Sequence, residues 1–190
     1  MIAAGAAAVL ALLAVGLVEL RRSPPAPEPT RLTLAQMRSR LTGSPAPLAA
    51  LHAQAGELLA GGLPALRARL AGLHGEGVVI NKWASWCQPC RSEIGAFQAA
   101  AVSLGRQAAF IGIDSADTNR SDALAFMHAF PVSYPSYYDE SGRAGSAITD
   151  STFTPVTVFF NRAGGVYIHQ GPYPSAAKLE EDVRRYALDA

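Results

Sequence analysis

The chain is poor in charge, in aromatics and above all in cysteine. Charged residues make up 16% and aromatic residues 8% of its 190 positions, and 16 Lys and Arg against 15 Asp and Glu leave a net charge of +1. With no basic block to neutralise a run of phosphates, a dedicated nucleic-acid binder is excluded. Two cysteines cannot build a disulfide framework or a four-cysteine zinc site. The four histidines, His52, His74, His128 and His169, are scattered without paired spacing, so a cysteine and histidine zinc site has no second half. No internal repeat is visible. Hydrophobic residues, in contrast, account for 49% of the chain, which excludes a disordered chain and suffices for one compact domain plus an extension.

The extension lies at the N-terminus. Residues 2–18 contain only Ala, Val, Leu, Ile and Gly, and are followed by Glu19, Leu20, Arg21 and Arg22. As a helix this run covers roughly 25 Å, slightly short of a hydrocarbon core of about 30 Å. Residues 1–20 are therefore read as a single-pass transmembrane anchor or a signal segment, and the lack of a small-x-small cleavage pattern beyond them favours an uncleaved anchor. Residues 23–30 (SPPAPEPT) form a Pro-rich extended spacer, within a linker and short helix assigned to residues 21–45. The basic pair Arg21 and Arg22 follows the apolar run, an order that by the positive-inside tendency keeps the domain in the cytoplasm. An extracytoplasmic domain therefore implies basic residues upstream of Met1.

Residues 46–190 read as the folded domain, with a helical lead-in over 46–75. Leu59, Leu63, Leu66, Leu70 and Leu73 recur at steps of four and three, which places them on one helix face. Gly61, Gly62 and Pro64 interrupt this pattern, so one helix is predicted to end near Ala60 and a second to start with Pro64 in its first turn. The run is too short for sustained heptads, so the leucines are core or docking residues and a monomer is expected. Strands are predicted at 78–83 and 108–114 and helices at 91–104 and 122–130. Residues 137–139 read as the start of a short connection, and 142–148 as one or two helical turns. A strand at 155–160, a turn at 162–165, a strand at 166–169 and a final helix at 175–186 complete a layered α/β domain with a mixed sheet.

The two cysteines fall within the segment Trp86-Cys87-Gln88-Pro89-Cys90, between the first of these strands and a helix. At a helix N-terminus the unpaired N–H groups and the positive end of the macrodipole favour an anion, so the Cys87 thiolate is stabilised. Cys87 is expected to be the exposed nucleophile. Cys90 lies one turn along the same face, close enough to attack a mixed disulfide at Cys87, and is expected to be the buried resolving thiol. Pro89 fits the first helical turn without loss of a hydrogen bond and stiffens the loop. Haem attachment would need a histidine where the chain has Arg91. A disulfide across so short a loop removes little unfolded-chain entropy and is a poor structural staple.

Residues 81–93 (NKWASWCQPCRSE) resemble the active-site segment of thioredoxin-fold proteins, and more closely that of the membrane-anchored, extracytoplasmic thiol-disulfide reductases of the TlpA and ResA type. The resemblance runs from about Gly77 to the C-terminus and includes Thr154-Pro155 before a later strand and Gly164-Gly165 in a hairpin turn. It implies a thioredoxin-like three-layer α/β fold: a central mixed sheet flanked by helices, preceded here by an N-terminal membrane helix. Where thioredoxin has a buried Asp six positions before the first cysteine, this chain has Asn81, as the TlpA-like group does. Glu93 matches the helix glutamate of ResA-like members and is expected to act as an acid or base on the resolving thiol, the alternative being a solvated first-turn glutamate. Pro155 matches the cis-proline that faces the cysteines, and Thr154 is expected to touch the sulfurs. Trp86, Gln88, Pro89, Thr154 and Pro155 make up the expected substrate contact surface, with a core role for Trp86 left open. Lys82 departs from the aromatic residue usual at its position, and either favours the thiolate or snorkels to the sheet edge.

The resulting expectation is a protein disulfide oxidoreductase, working in the reducing direction on disulfides of exported proteins, with apocytochrome c among the candidate partners. The resemblance implies electrons from a membrane dithiol donor, a domain on the extracytoplasmic side of the cell membrane, and no cofactor or metal, since the cysteines carry the two electrons. Three alternatives stay open: a disulfide-forming oxidase, a peroxiredoxin-like antioxidant and a tethered, non-enzymatic binding module. Peroxide reduction needs a Pro-x-x-x-Thr-x-x-Cys arrangement, and the chain has Ile80 and Ala84 at those positions.

Overall fold

Strands β2 (Gly77–Trp83) and β3 (Ala108–Ser115) are buried along their whole length, so both read as near-continuous apolar runs instead of alternating ones. They sit at the centre of a six-stranded sheet, in the order β1 (Leu58–Leu59), β4 (Ser136–Asp139), β3, β2, β5 (Val156–Phe160) and β6 (Val166–Gln170), in a computed structural model that describes residues 32–189. Strands β1 to β4 run parallel, whereas β5 and β6 form an antiparallel hairpin on β2. The expected membrane segment and the Pro-rich spacer lie outside the described residues. Among the described residues no helix is long and apolar enough to cross a membrane.

Each face of the sheet has its own core. On one side Val79, Trp83 and Phe159 pack with Phe97 of α4 (Gln88–Leu104), Phe126 of α5 (Arg120–Ala129) and Leu179 of α7 (Ala176–Tyr186). On the other, Ile80, Ile111 and Val158 pack with Leu48 and Leu51 of α2 (Ala46–Ala53), Leu66 of α3 (Gly62–Gly72) and Ala144 of the single-turn α6 (Arg143–Ser146). Helix α1 (Leu34–Arg40) starts at a capping box of Thr33 and Gln36 and buries Met37. The predicted mixed sheet, flanking helices and hairpin are all present.

Two readings of the sequence are corrected. The helix expected to end near Ala60 ends at Ala53, and Leu58–Leu59 form β1, a two-residue edge strand parallel to β4 (Ser136–Asp139). The leucine spacing misled because Leu59, Leu63, Leu66, Leu70 and Leu73 do converge on one core, although the first reaches it from a strand and the others from α3 and its C-cap. Residues 137–139 belong to β4 and not to a connection. Its Ser136 side chain occupies the space a Cβ at Gly112 of β3 would fill and accepts a hydrogen bond from Trp83 Nε1 at 3.2 Å. A four-residue buried strand bounded by prolines and serines carries too little periodicity to be read from sequence.

Candidate active site

Cys87 is the N-cap of α4: its backbone is extended, Gln88 and Pro89 open the helix, and its Sγ accepts a hydrogen bond from the Cys90 N–H at 3.1 Å. This is the cap position at which Ser or Asp satisfies an orphan N–H, here filled by sulfur. Cys87 and Cys90 are joined by a disulfide, with Cα atoms 5.3 Å apart. The exposed nucleophile expected at Cys87 is not found in this disulfide form: Cys87 is 3% exposed and Cys90 1%, both packed in the core that also contains Trp83 and Ala84. Gln88 and Pro89 are exposed beside it, and Trp86, at 64% exposure, stands outside the core. A core role for Trp86 is thereby removed.

The loop that carries the cysteines is held at Ser85 by two side chains, Asp117 and Arg91. Asp117 Oδ2 accepts from the Ser85 N–H at 2.6 Å and its Oδ1 from the Ser85 hydroxyl at 2.9 Å. Arg91 of α4 donates to the Ser85 carbonyl at 2.7 Å while its guanidinium lies over the rings of Phe126 and Phe130. Asp117 is buried, and so is its neighbour Asp114 at the end of β3. Burial, followed by the adjacent charge of Asp117 and that of Asp139, pushes Asp114 up to about 9.

Glu93 is 1% exposed, so the solvated alternative does not hold. It lies one turn beyond Cys90 on α4 and receives two hydrogen bonds, from Asn81 Nδ2 at 2.7 Å and from the Tyr173 N–H at 3.1 Å. Burial drives its pKa up to about 7, with the Asn81 and Tyr173 bonds pulling back the other way. A carboxyl poised near neutrality can accept and return a proton. Asn81 is thus the partner of the buried acid on the adjacent helix, and not itself a proton carrier. Tyr173 is fixed in turn by its hydroxyl, which donates to Asp182 of α7 at 2.9 Å, and by stacking on His169 at 4.1 Å between ring centroids.

The Thr154-Pro155 peptide bond is cis. The antiparallel register pairs Lys82 of β2 with Val156 of β5, so Thr154 and Pro155 come to the same sheet end from which the chain leaves β2 for Cys87. Lys82 neither snorkels to the sheet edge nor points to the sulfurs. Its ammonium donates to the carbonyls of Ser151 and Phe153 at 2.7 and 3.2 Å, and burial lowers its pKa against the raising influence of Asp139. Ser85, Asp117, Tyr173 and the bonds made by Lys82 were not read from the sequence. Their partners lie 32, 80, and 69 or 71 residues away, beyond any local spacing signal.

A parallel and antiparallel sheet with helices on both faces, a disulfide capping the helix after the central strand, and a cis-proline at the same sheet end define a thioredoxin-like protein. The chain belongs to the AhpC/TSA family, whose pattern matches residues 45–167. It is 27% identical over 78 residues to the thioredoxin-like protein YneN of Bacillus subtilis, covering 40% of this chain and 46% of that one. It is 28% identical over 74 residues to the thiol-disulfide oxidoreductase ResA of Oceanobacillus iheyensis, covering 39% and 38%. The matches thus span less than half the length of these curated relatives. Among solved structures, MTB dsbF in its mixed oxidised and reduced forms matches with a TM-score of 0.55 and 25% identity, over 60% of this chain and 82% of that one. A thiol:disulfide interchange protein of the thioredoxin family from Chlorobium tepidum matches with a TM-score of 0.55 and 24% identity, over 62% and 83%.

Proposed function

We propose that the protein is a thiol-disulfide oxidoreductase that reduces disulfides in exported proteins. The observation that carries this reading is Cys87 at the N-cap of α4, its sulfur accepting the Cys90 N–H and bonded to Cys90. In the dithiol form the Cys87 thiolate is favoured by the same N–H and the helix N-terminus. It attacks one sulfur of a partner disulfide, forming a mixed disulfide and releasing the partner's other sulfur as a thiolate. The Cys90 thiol then gives its proton to the Glu93 carboxylate and attacks the Cys87 sulfur. The Cys87–Cys90 disulfide closes, Glu93 passes its proton to the departing partner sulfur, and the thiolate released first takes a proton from water, so the partner leaves as a dithiol. A dithiol donor on the membrane side returns two electrons and two protons.

Trp86, Gln88 and Pro89 border the sulfurs, and Thr154 and Pro155 offer backbone to an extended partner segment in strand-like fashion. Residues 1–20 hold the domain at the cell membrane on the extracytoplasmic side, where disulfide-containing partners, apocytochrome c among them, are met. Peroxide chemistry is disfavoured because Ile80 and Ala84 supply no hydroxyl to polarise a peroxide, and both are buried in the core. Trapping with Cys90→Ser tests the reading: mixed disulfides through Cys87 to exported proteins are the expected result. An equilibrium potential near about −120 mV, the range of a strong oxidant, reverses the direction, and rapid peroxide consumption replaces the reading.

A further inference from the structure

A lysine at the end of a fully buried central strand needs a reason. Lys82 is 6% exposed, and its ammonium is spent on two carbonyls of a single loop, those of Ser151 and Phe153. Its stem passes against Gly145 of α6, where a Cβ would stand 3.1 Å from Lys82 Cε, so the glycine leaves the passage open. The loop so fastened runs directly into Thr154 and the cis-proline. Phe153, within it, is 70% exposed, and with Trp86 it is one of the two most exposed large apolar side chains among the described residues. Both stand at the sheet end that carries the disulfide.

The backbone that carries Phe153 is fixed by a buried cation, so that backbone needs no ordering when a partner arrives. The residues that flank the disulfide and the cis-proline along the chain, Trp86, Gln88, Pro89, Phe153 and Thr154, carry no charge, and the exposed Arg91 after Cys90 turns its guanidinium to the Ser85 carbonyl and over the rings of Phe126 and Phe130. These flanking residues therefore complement an uncharged, apolar stretch of an incoming chain, and a charged flank would lose solvation there without gaining a partner. We propose that Phe153 is a specificity-determining contact and Lys82 the positioning residue that holds it, together selecting extended polypeptides with an apolar side chain beside the reacting cysteine. This rests on the thiol-disulfide reading and adds to it the kind of partner accepted.

The test uses the full chain and two disulfide peptides that differ only in carrying Leu or Ser next to one cysteine. Phe153→Ser is expected to raise KM for the Leu peptide about tenfold with kcat unchanged, removing the preference over the Ser peptide. Lys82→Met is expected to move KM in the same direction, and the double variant to show no further rise, since both act through one contact. A Phe153→Ser protein that keeps the wild-type preference overturns the proposal, and so does a Lys82 effect that adds to that of Phe153. If Lys82→Met does not fold, Lys82→Gln is held to the same criterion, while substitution at the exposed Phe153 decides the selection without it. Exchange of the wild-type protein with hydroxyethyl disulfide reads the underlying chemistry separately: its absence rejects the thiol-disulfide reading, and its presence with no peptide preference rejects only the selection.

Discussion

Glu93 carries the most consequence of any single side chain outside the cysteines. A carboxyl buried one turn from Cys90 and raised to about 7 is protonated in the fold at pH values where the unfolded chain has already lost that proton. Its contribution to stability is therefore fully present below about 4.5 and lost as pH rises through about 7, with no further change above. Urea unfolding of the Glu93→Gln protein should accordingly be flatter than wild type between pH 5 and 7. In the proposed cycle the same titration acts on the chemistry with the opposite sense, because only the carboxylate can accept the Cys90 proton. In single-turnover experiments the resolution of a mixed disulfide should accelerate as pH passes about 7, and Glu93→Gln should lose that inflection and slow the step by at least about tenfold. A variant whose profile still inflects near 7 would assign the proton to another group; Tyr134, Tyr173 and Asn81 are the polar neighbours around the carboxyl.

At the scale of elements, the C-terminal ends of β2, β3 and β4 gather the groups that shape the cysteine loop. Asp114 ends β3 in a carboxyl held at about 9, beside Asp117, which grips Ser85. Because its folded pKa lies far above that of the unfolded chain, stability should fall steadily as pH rises from about 4 to about 9. Asp114→Asn removes that proton linkage and leaves an amide able to donate to Asp117. The slope of unfolding free energy between pH 6 and 8 should then shrink by up to about 1.4 kcal/mol per pH unit. An unchanged slope would mean that Asp114 titrates as an ordinary acid. Sequence reading located these strands and the helix after the cysteines to within a few residues, because burial on both faces and the Pro at the first helical turn are local signals. It missed β1 and β4, which are held in the sheet by neighbours such as Gly112 and Tyr134 and not by a pattern of their own.

For the molecule as a whole, two cores separated by one sheet make stability uneven. β2 and β3 have partners on both edges and packed helices on both faces, whereas β6 pairs only with β5 and leaves Val166, Tyr167 and Ile168 exposed. Amide hydrogen exchange should be slowest in β2 and β3 and markedly faster in β6 and the N-terminal α1. Protection of β6 equal to that of β2 would indicate a partner on its open edge. The disulfide end of the sheet is tied to its central strands through Asn81 and Lys82, both on β2: one binds the buried acid of α4 and the other fastens the loop before the cis-proline.

The central strands, the helix after the cysteines, the hairpin and the spacing of the two cysteines at a helix start are legible along the chain, since each depends on residues within a turn or a strand. The burial of the Cys87–Cys90 disulfide, the hold of Asn81 and Tyr173 on a buried Glu93 and the bonds of Lys82 to the loop before Pro155 arise only in the folded molecule. Burial and long-range hydrogen bonding depend on which surfaces meet across the sheet. Residues 80 positions apart in the chain carry no mark of that meeting until the fold brings them together.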